Sequence, residues 1–269
     1  MEQQNPRPGP RLADTLDAAG RRGFIGRSAE LAAFEALLER PEHVIVLWLS
    51  GLGGVGKTAL LQACSSRARQ AGWLTARIDG RAVAPVPQAF SSSVESAIGA
   101  NASLSQLEGA GGSGLAIFID TYERLELLDG WLREQYLPRL PAQTLIMIAS
   151  RHLPSVEWRT DPGWSAVLQV LPLRNFRPEE SRAYLTSRGV PELEQAEVLG
   201  FTHGNPLALS LLTDLYRLQP ERLRSTIPTS SKNSCGDFST MSPRRCIGAR
   251  LRFVRICASL PKINLPRRS

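Results

Sequence analysis

Residues 51–58 read Gly51-Leu52-Gly53-Gly54-Val55-Gly56-Lys57-Thr58 and satisfy the pattern G-x-x-x-x-G-K-[ST] at every position. An apolar run over 44–49 leads in, and a helix-compatible stretch over 59–69 leads out. Strand, glycine loop and helix is the context this motif needs. The glycines let backbone N–H groups turn inward around a phosphate, where a Cβ would block the approach. The helix that follows adds its N-terminal N–H groups and the positive end of its dipole. Gly51, Gly53, Gly54, Val55, Gly56, Lys57 and Thr58 are therefore the candidate phosphate-binding residues. Lys57 is placed to reach the β- and γ-phosphates, and the Thr58 hydroxyl to sit on Mg²⁺. The alternative is a glycine-rich turn that matches by chance, and the flanks argue against it.

The chain has 269 residues, 42% hydrophobic and 21% charged, a balance that suits a globular protein with a real core. Its apolar runs are far shorter than the roughly 20 residues of a membrane span, so no membrane partner is expected. Cys64, Cys235, Cys246 and Cys257 show no C-x-x-C spacing and point to neither a disulfide framework nor a zinc site. A reducing, cytoplasmic compartment is the expectation. The net charge of +7 invites a nucleic-acid reading, but 12 lysines and arginines against 2 acidic residues fall from Arg217 onward. The body before Arg217 is slightly acidic, so a basic groove on the folded domain is not supported.

Residues 1–20 are expected to form a flexible leader. Leu31, Phe34, Leu37 and Leu38 recur at helical spacing behind Ser28, which predicts a helix to about Pro41. Strands are predicted over 44–49, 73–78, 115–119, 145–149 and 167–171, with helices over 57–70, 88–98 and 123–137. Strands separated by helices predict a parallel sheet covered on both faces. From Arg177 the pattern is helical only, with helices from Pro178, over 192–200 and from Pro206, a favoured first-turn residue. The expected division is a leader at 1–20, an α/β domain at 21–172, a small helical lid at 173–226 and a basic, disordered tail at 227–269.

A phosphate loop needs a partner that organises Mg²⁺ and water, usually an Asp at the tip of an apolar strand. Asp120 ends Leu115-Ala116-Ile117-Phe118-Ile119 and fits that role, as the second metal-site residue beside Thr58; the alternative is an Asp that caps the next helix. Glu123 is the nearest carboxylate that could polarise an attacking water, or else a first-turn Glu favoured by the helix dipole. Arg151 follows the fourth strand, where its side chain could reach a γ-phosphate, or else it is a surface arginine. His43, His152 and His203 have no ligand spacing.

Phe24-Ile25-Gly26-Arg27-x-x-Glu30-Leu31 resembles the N-terminal adenine-side motif of the AAA+/STAND class of signal-transduction ATPases. Ala149-Ser150-Arg151 resembles their sensor-1 strand end, and His203-Gly204-Asn205-Pro206-Leu207-Ala208-Leu209 is similar to the Gly-x-Pro motif of their helical lid. The resemblance implies a P-loop α/β/α fold with a five-stranded parallel sheet in the order 5-1-4-3-2. It implies ATP or ADP with Mg²⁺ as cofactors, with Arg27 and Pro206 among the nucleotide-binding residues. Self-association or a regulator partner protein would fit such a switch.

The chain departs from that family twice. Thr121 follows Asp120 where the family usually has a second acid, which bears on hydrolysis more than on binding. The composition break near Pro228 suggests truncation or a change of reading frame at 226–230. Three readings stand: a slow ATPase switch module, a tight nucleotide-binding module without turnover, and a nucleic-acid-binding protein that uses its basic end. A non-functional fragment or a different P-loop enzyme is the remaining alternative.

Overall fold

The computed structural model describes residues 12–39, 45–99 and 114–218. The tail expected over 227–269, the end of the lid and three of the four cysteines lie outside the described residues. Two helices, α1 (Leu12–Gly23) and α2 (Ser28–Glu39), precede β1 (Val46–Ser50) and α3 (Lys57–Gln70). β2 (Leu74–Asp79), α4 (Pro87–Ile98) and β3 (Leu115–Asp120) follow. A run of short helical turns over 122–139, including the one-turn α5 (Asp129–Trp131), leads to β4 (Thr144–Ser150). Then come α6 (Val156–Thr160), α7 (Pro162–Val167) and β5 (Leu168–Pro172), and last α8 (Pro178–Ser187), α9 (Glu192–Thr202) and α10 (Pro206–Leu218).

The five strands are all parallel, in the order β2-β3-β4-β1-β5. This is the expected 5-1-4-3-2 read from the other edge. Every residue of β1, β3 and β4 is buried, as strands covered on both faces must be. Alternate side chains then divide between two cores. Leu47, Leu49, Phe118, Met147 and Ala149 meet Leu60, Leu61, Cys64 and Phe34 of α2 and α3. Val46, Trp48, Ile117, Ile119 and Ile148 meet Phe90, Val94, Leu128, Leu132 and Trp158 on the opposite face.

Two sequence expectations require correction. Leu12–Gly23 is a helix rather than part of a flexible leader. Its alanines, leucines and arginines are good helix formers, and it lies against α3, which gives it a surface to form on. The single helix expected over 123–137 is instead a chain of 3₁₀, α and π turns. Asp129 causes much of this. Its carboxylate accepts hydrogen bonds from Tyr122 Oη, Trp158 Nε1 (2.7 Å) and Ser155 Oγ (3.1 Å). Those bonds draw the segment onto the α6 side, and Pro138 removes a backbone donor near its end. The helices α6 and α7 carry no strong periodicity in the sequence. They form around Trp158, which is fully buried against Trp48 and Trp164.

Phe118 lies in the middle of the central sheet, fully buried and 6.0 Å from the Phe34 ring. Phe118→Ala is expected to lower the unfolding free energy by about 3–5 kcal/mol. A urea melt of the variant against the parent checks this.

Candidate functional site

The C-terminal ends of the parallel strands are where such a sheet presents its loops, and ligands bind at that edge. Here β1 runs through the glycine loop into α3. Gly56 is the left-handed N-cap of α3 at φ 96°. Gly54 has φ 80°, and a Cβ there would stand 2.9 Å from Leu207 Cβ, so glycine is needed for conformation and for space. Val55 is buried behind the loop.

A cleft of about 470 Å³ opens above this loop. Gly53, Gly54, Gly56, Lys57 and Thr58 form its floor, and Asp120, Glu123 and Arg151 wall one end. Phe24, Ile25, Phe176, Tyr184 and Pro206 wall the other. The structure thus brings together residues from five separate segments that the sequence singles out.

Lys57 Nζ donates to the carbonyls of Gly51 (2.6 Å) and Leu52 (3.0 Å). Burial holds its pKa below the usual lysine value, helped by Arg151 and opposed by the carboxylates of Glu123 and Asp120. An anion with several negative charges would reverse that balance. Asp120 is buried at the tip of β3, and its Oδ1 accepts from Thr121 N at 2.8 Å. Thr121 sits in the left-handed region at φ 54°, an uncommon place for a β-branched residue that stores roughly 1–3 kcal/mol of strain. The sharp turn it makes sends the chain into the 3₁₀ turn Tyr122–Arg124 and brings Glu123 back over the strand ends. There Glu123 bridges to β4, with Arg151 Nε 3.3 Å from Oε1 and Arg151 N donating to Oε2 at 3.3 Å. Arg151 Nη2 would lie 3.9 Å from a Cβ on Gly53, so the guanidinium hangs over the loop.

Thr58 and Asp120 give one hydroxyl and one carboxylate on the same cleft. That donor set fits Mg²⁺, which takes few protein oxygens and fills its shell with phosphate oxygens and water. Among the described residues no group of three or more His, Cys, Asp and Glu could hold a metal by itself.

Arg27 stands between the glycine loop and the segment that leads from β5 into α8. It is buried, and its Nη2 donates to Val55 O at 2.9 Å and to Arg174 O. Its Nη1 meets Glu30 Oε1 at 3.1 Å, and its guanidinium lies 5.2 Å from the Phe176 ring centroid. Its charge is thereby committed to protein groups. Its backbone N donates to Glu180 Oε1 at 2.8 Å. The C-terminal helices reach the glycine loop directly as well: Leu207 N, in the first turn of α10, donates to Gly54 O at 3.1 Å. Asn205 caps that turn by accepting from Ala208 N at 3.1 Å, and Pro206 begins the helix.

Sequence reasoning missed Arg81, Phe176, Tyr184 and Leu207. Arg81 lies just past the predicted second strand, and Leu207 is inside the quoted lid motif; both had a positional signal. Phe176 and Tyr184 had none beyond being aromatic.

No family model matches the chain, and no curated protein matches it. Solved structures do. A variant of Thermotoga maritima RuvB is 20% identical over 75% of this chain and 65% of its own, with a TM-score of 0.50. DnaA from Aquifex aeolicus, solved with AMPPCP, is 14% identical over 88% of this chain and 81% of its own, with a TM-score of 0.50. A replication initiator DnaA bound to AMPPCP and single-stranded DNA is 16% identical over 89% and 82%, also at 0.50. The chain spans a little under two thirds, 63 to 65%, of the RuvB chains it matches. With the sheet order, these likenesses give the chain the α/β fold of AAA+ P-loop ATPases.

Glu180 yields a pH prediction. Burial works to raise its pKa, but N–H groups of Arg177 and Arg27 and the two guanidinium charges outweigh it and hold the carboxyl below its usual 4.5. A lowered folded pKa contributes stability that is fully present above the unfolded value and lost as pH falls through the folded one. The stability difference between the parent and Glu180→Gln should be constant from about pH 7 to pH 5.5 and shrink as pH drops below 4.5. Denaturant melts across that range check it.

Proposed function

We propose that this chain is the nucleotide-binding module of a STAND-type switch: it binds ATP or ADP with Mg²⁺, hydrolyses ATP slowly, and uses the nucleotide to hold lid and sheet together. The observation that carries this reading is the single cleft whose floor is a complete phosphate loop and whose walls come from the sheet on one side and the lid on the other. The STAND assignment is supported by Phe24-Ile25-Gly26-Arg27, by Ala149-Ser150-Arg151 and by the Gly204-Asn205-Pro206 turn, which bring Phe24, Ile25, Arg27, Arg151 and Pro206 to that cleft.

Each residue has a role in this reading. The glycine loop and the N-terminus of α3 hold the phosphates through backbone N–H groups. Lys57 leaves its carbonyl partners for the β- and γ-phosphates. Thr58 and Asp120 hold Mg²⁺, which when bound neutralises phosphate charge. Glu123 orients and polarises a water, and Arg151 meets the γ-phosphate. Arg27 fixes the loop to the lid, and Pro206 and Tyr184 close over the base. Gly51 and Val55 support the loop from behind.

Slow turnover follows from Thr121 in place of a second acid and from the Glu123–Arg151 pair, which must loosen before Glu123 can serve a water. The same pair favours the second reading, a tight nucleotide-binding module with negligible turnover. A cytoplasmic regulator that associates with itself or with a partner protein suits either reading. No described helix is long and apolar enough to cross a membrane.

Lys57→Ala should weaken Mg-ATP binding by at least about tenfold, since a charge-assisted contact of this kind contributes roughly 1.5–3 kcal/mol. Its far-ultraviolet circular dichroism should match the parent. Calorimetry that finds unchanged affinity in the folded variant would remove the reading. Glu123→Gln should bind normally and lose turnover by about 10²–10⁴ if it is the base; equal steady-state rates would favour the non-hydrolysing module.

A further inference from the structure

Arg81 lines the cleft but has no place in the roles above. It lies two residues past β2, in a turn that Asp79 organises: Arg81 N donates to Asp79 Oδ1 at 3.0 Å. Its guanidinium forks onto the same carboxylate, with Nε 3.0 Å from Oδ1 and Nη2 2.8 Å from Oδ2. Asp79 is the register partner of Asp120 on the neighbouring strand. Arg81 therefore stands on the far side of Asp120 from the glycine loop.

The order of the strand ends sets what Arg81 can meet. The loop leaves β1, Arg151 leaves β4, Asp120 ends β3 and Asp79 ends β2, in that spatial order. Neighbouring strands lie about 4.8 Å apart, so the end of β2 is roughly 14 Å from that of β1. The apolar wall of Phe24, Ile25, Phe176 and Tyr184 fits a base at the lid end. In the roles proposed above the glycine loop would hold the phosphates common to a diphosphate and a triphosphate, and Lys57 would span the β- and γ-phosphates. The γ-phosphate, which a diphosphate lacks, would then be the one on the side of β4, β3 and β2.

Chemistry agrees with position. A guanidinium forks onto phosphate as it forks onto carboxylate. The Arg81 side chain is 64% exposed, so its pair with Asp79 is screened by water and weak. Exchanging Asp79 for a phosphate oxygen pair costs little, while Asp79 keeps the fork aimed near the strand ends until then.

We propose that Arg81 is a specificity residue that reads the terminal phosphate and favours triphosphate over diphosphate in this cleft. The proposal rests on the nucleotide reading above, and the test separates the two. The full chain and Arg81→Ala are titrated calorimetrically with Mg-AMPPNP and with Mg-ADP, after thermal melts confirm equal folding. The expected result is that Arg81→Ala weakens Mg-AMPPNP about tenfold and leaves Mg-ADP unchanged, a single charge-assisted contact having been removed. A parent that binds both nucleotides with Arg81→Ala unchanged for both overturns this proposal alone and leaves Arg81 in a surface ion pair. Equal weakening of both nucleotides also overturns it, since Arg81 would then be a general anion contact. A parent that binds neither overturns the nucleotide reading and this proposal together.

Discussion

The buried guanidinium of Arg27 is the constraint on which the geometry of the cleft depends. A charge removed from water must find partners or it destabilises the fold by several kcal/mol. Arg27 finds four: Glu30 on α2, the Val55 carbonyl in the glycine loop, and the Arg174 carbonyl and the face of Phe176 after β5. These partners lie in three segments, so one side chain ties three pieces of chain together, although its Nε stays without a partner. Its backbone adds a fourth piece, through Glu180 of α8. Arg27 also sits at φ 58°, a conformation that costs an L-residue something and persists because its surroundings determine it.

The opposite wall is positioned by a second device. Trp48, just ahead of the glycine loop, has its indole N–H on His152 O at 3.0 Å and its ring edge-on to Tyr122 at 5.0 Å. Tyr122 is bonded to Asp129, and burial together with the Asp129 charge pushes its phenol pKa up, so it stays a donor. Asp129 in turn holds Ser155 and Trp158, beyond β4. Glu123 and Arg151 therefore meet on a frame that ties together β1, the turn after β3 and the loop after β4. Rigidity here is supplied by aromatic edges and one carboxylate, because the strained Thr121 turn by itself would not hold a side chain in place.

The sheet and the loop were legible because their signals are local. An apolar run, a glycine pattern and a helical repeat are all readable within about 20 residues, and β1, α3, β3 and β4 came out within one or two residues of their bounds. The order 5-1-4-3-2 was carried by family resemblance, since strand order depends on contacts far apart in sequence. The failures share a cause. The 122–139 segment has leucines at helical spacing, yet Asp129 and Trp158, 29 residues apart, decide its shape. The helix α1 was missed because polar, proline-rich residues precede it and its stability comes from α3. Glu123 and Arg151 were named separately, but nothing in their positions said that they would pair. Arg81 and Tyr184 became visible only when five segments closed around one cavity.

The pairing pattern of charges in the cleft suits the proposed anion. Lys57 rests on two neutral carbonyls, Arg151 is paired with Glu123, and Arg27 is held by Glu30 and two carbonyls. Arg151 is the exposed end of its pair with the half-buried Glu123, so water screens that pair more than the buried Arg27 cluster. Under the proposed function an arriving polyphosphate would compete for Lys57 and Arg151 and leave Arg27 alone. That competition would free Glu123 as Arg151 turned to phosphate, tying release of the acid to the presence of the group it would act on. Gly54 joins the glycine loop to α10, since its carbonyl takes the Leu207 N–H at 3.1 Å. A loop that reoriented its amides around an anion would move that carbonyl too, and the bond from Gly54 to α10 would carry the change to the C-terminal helices.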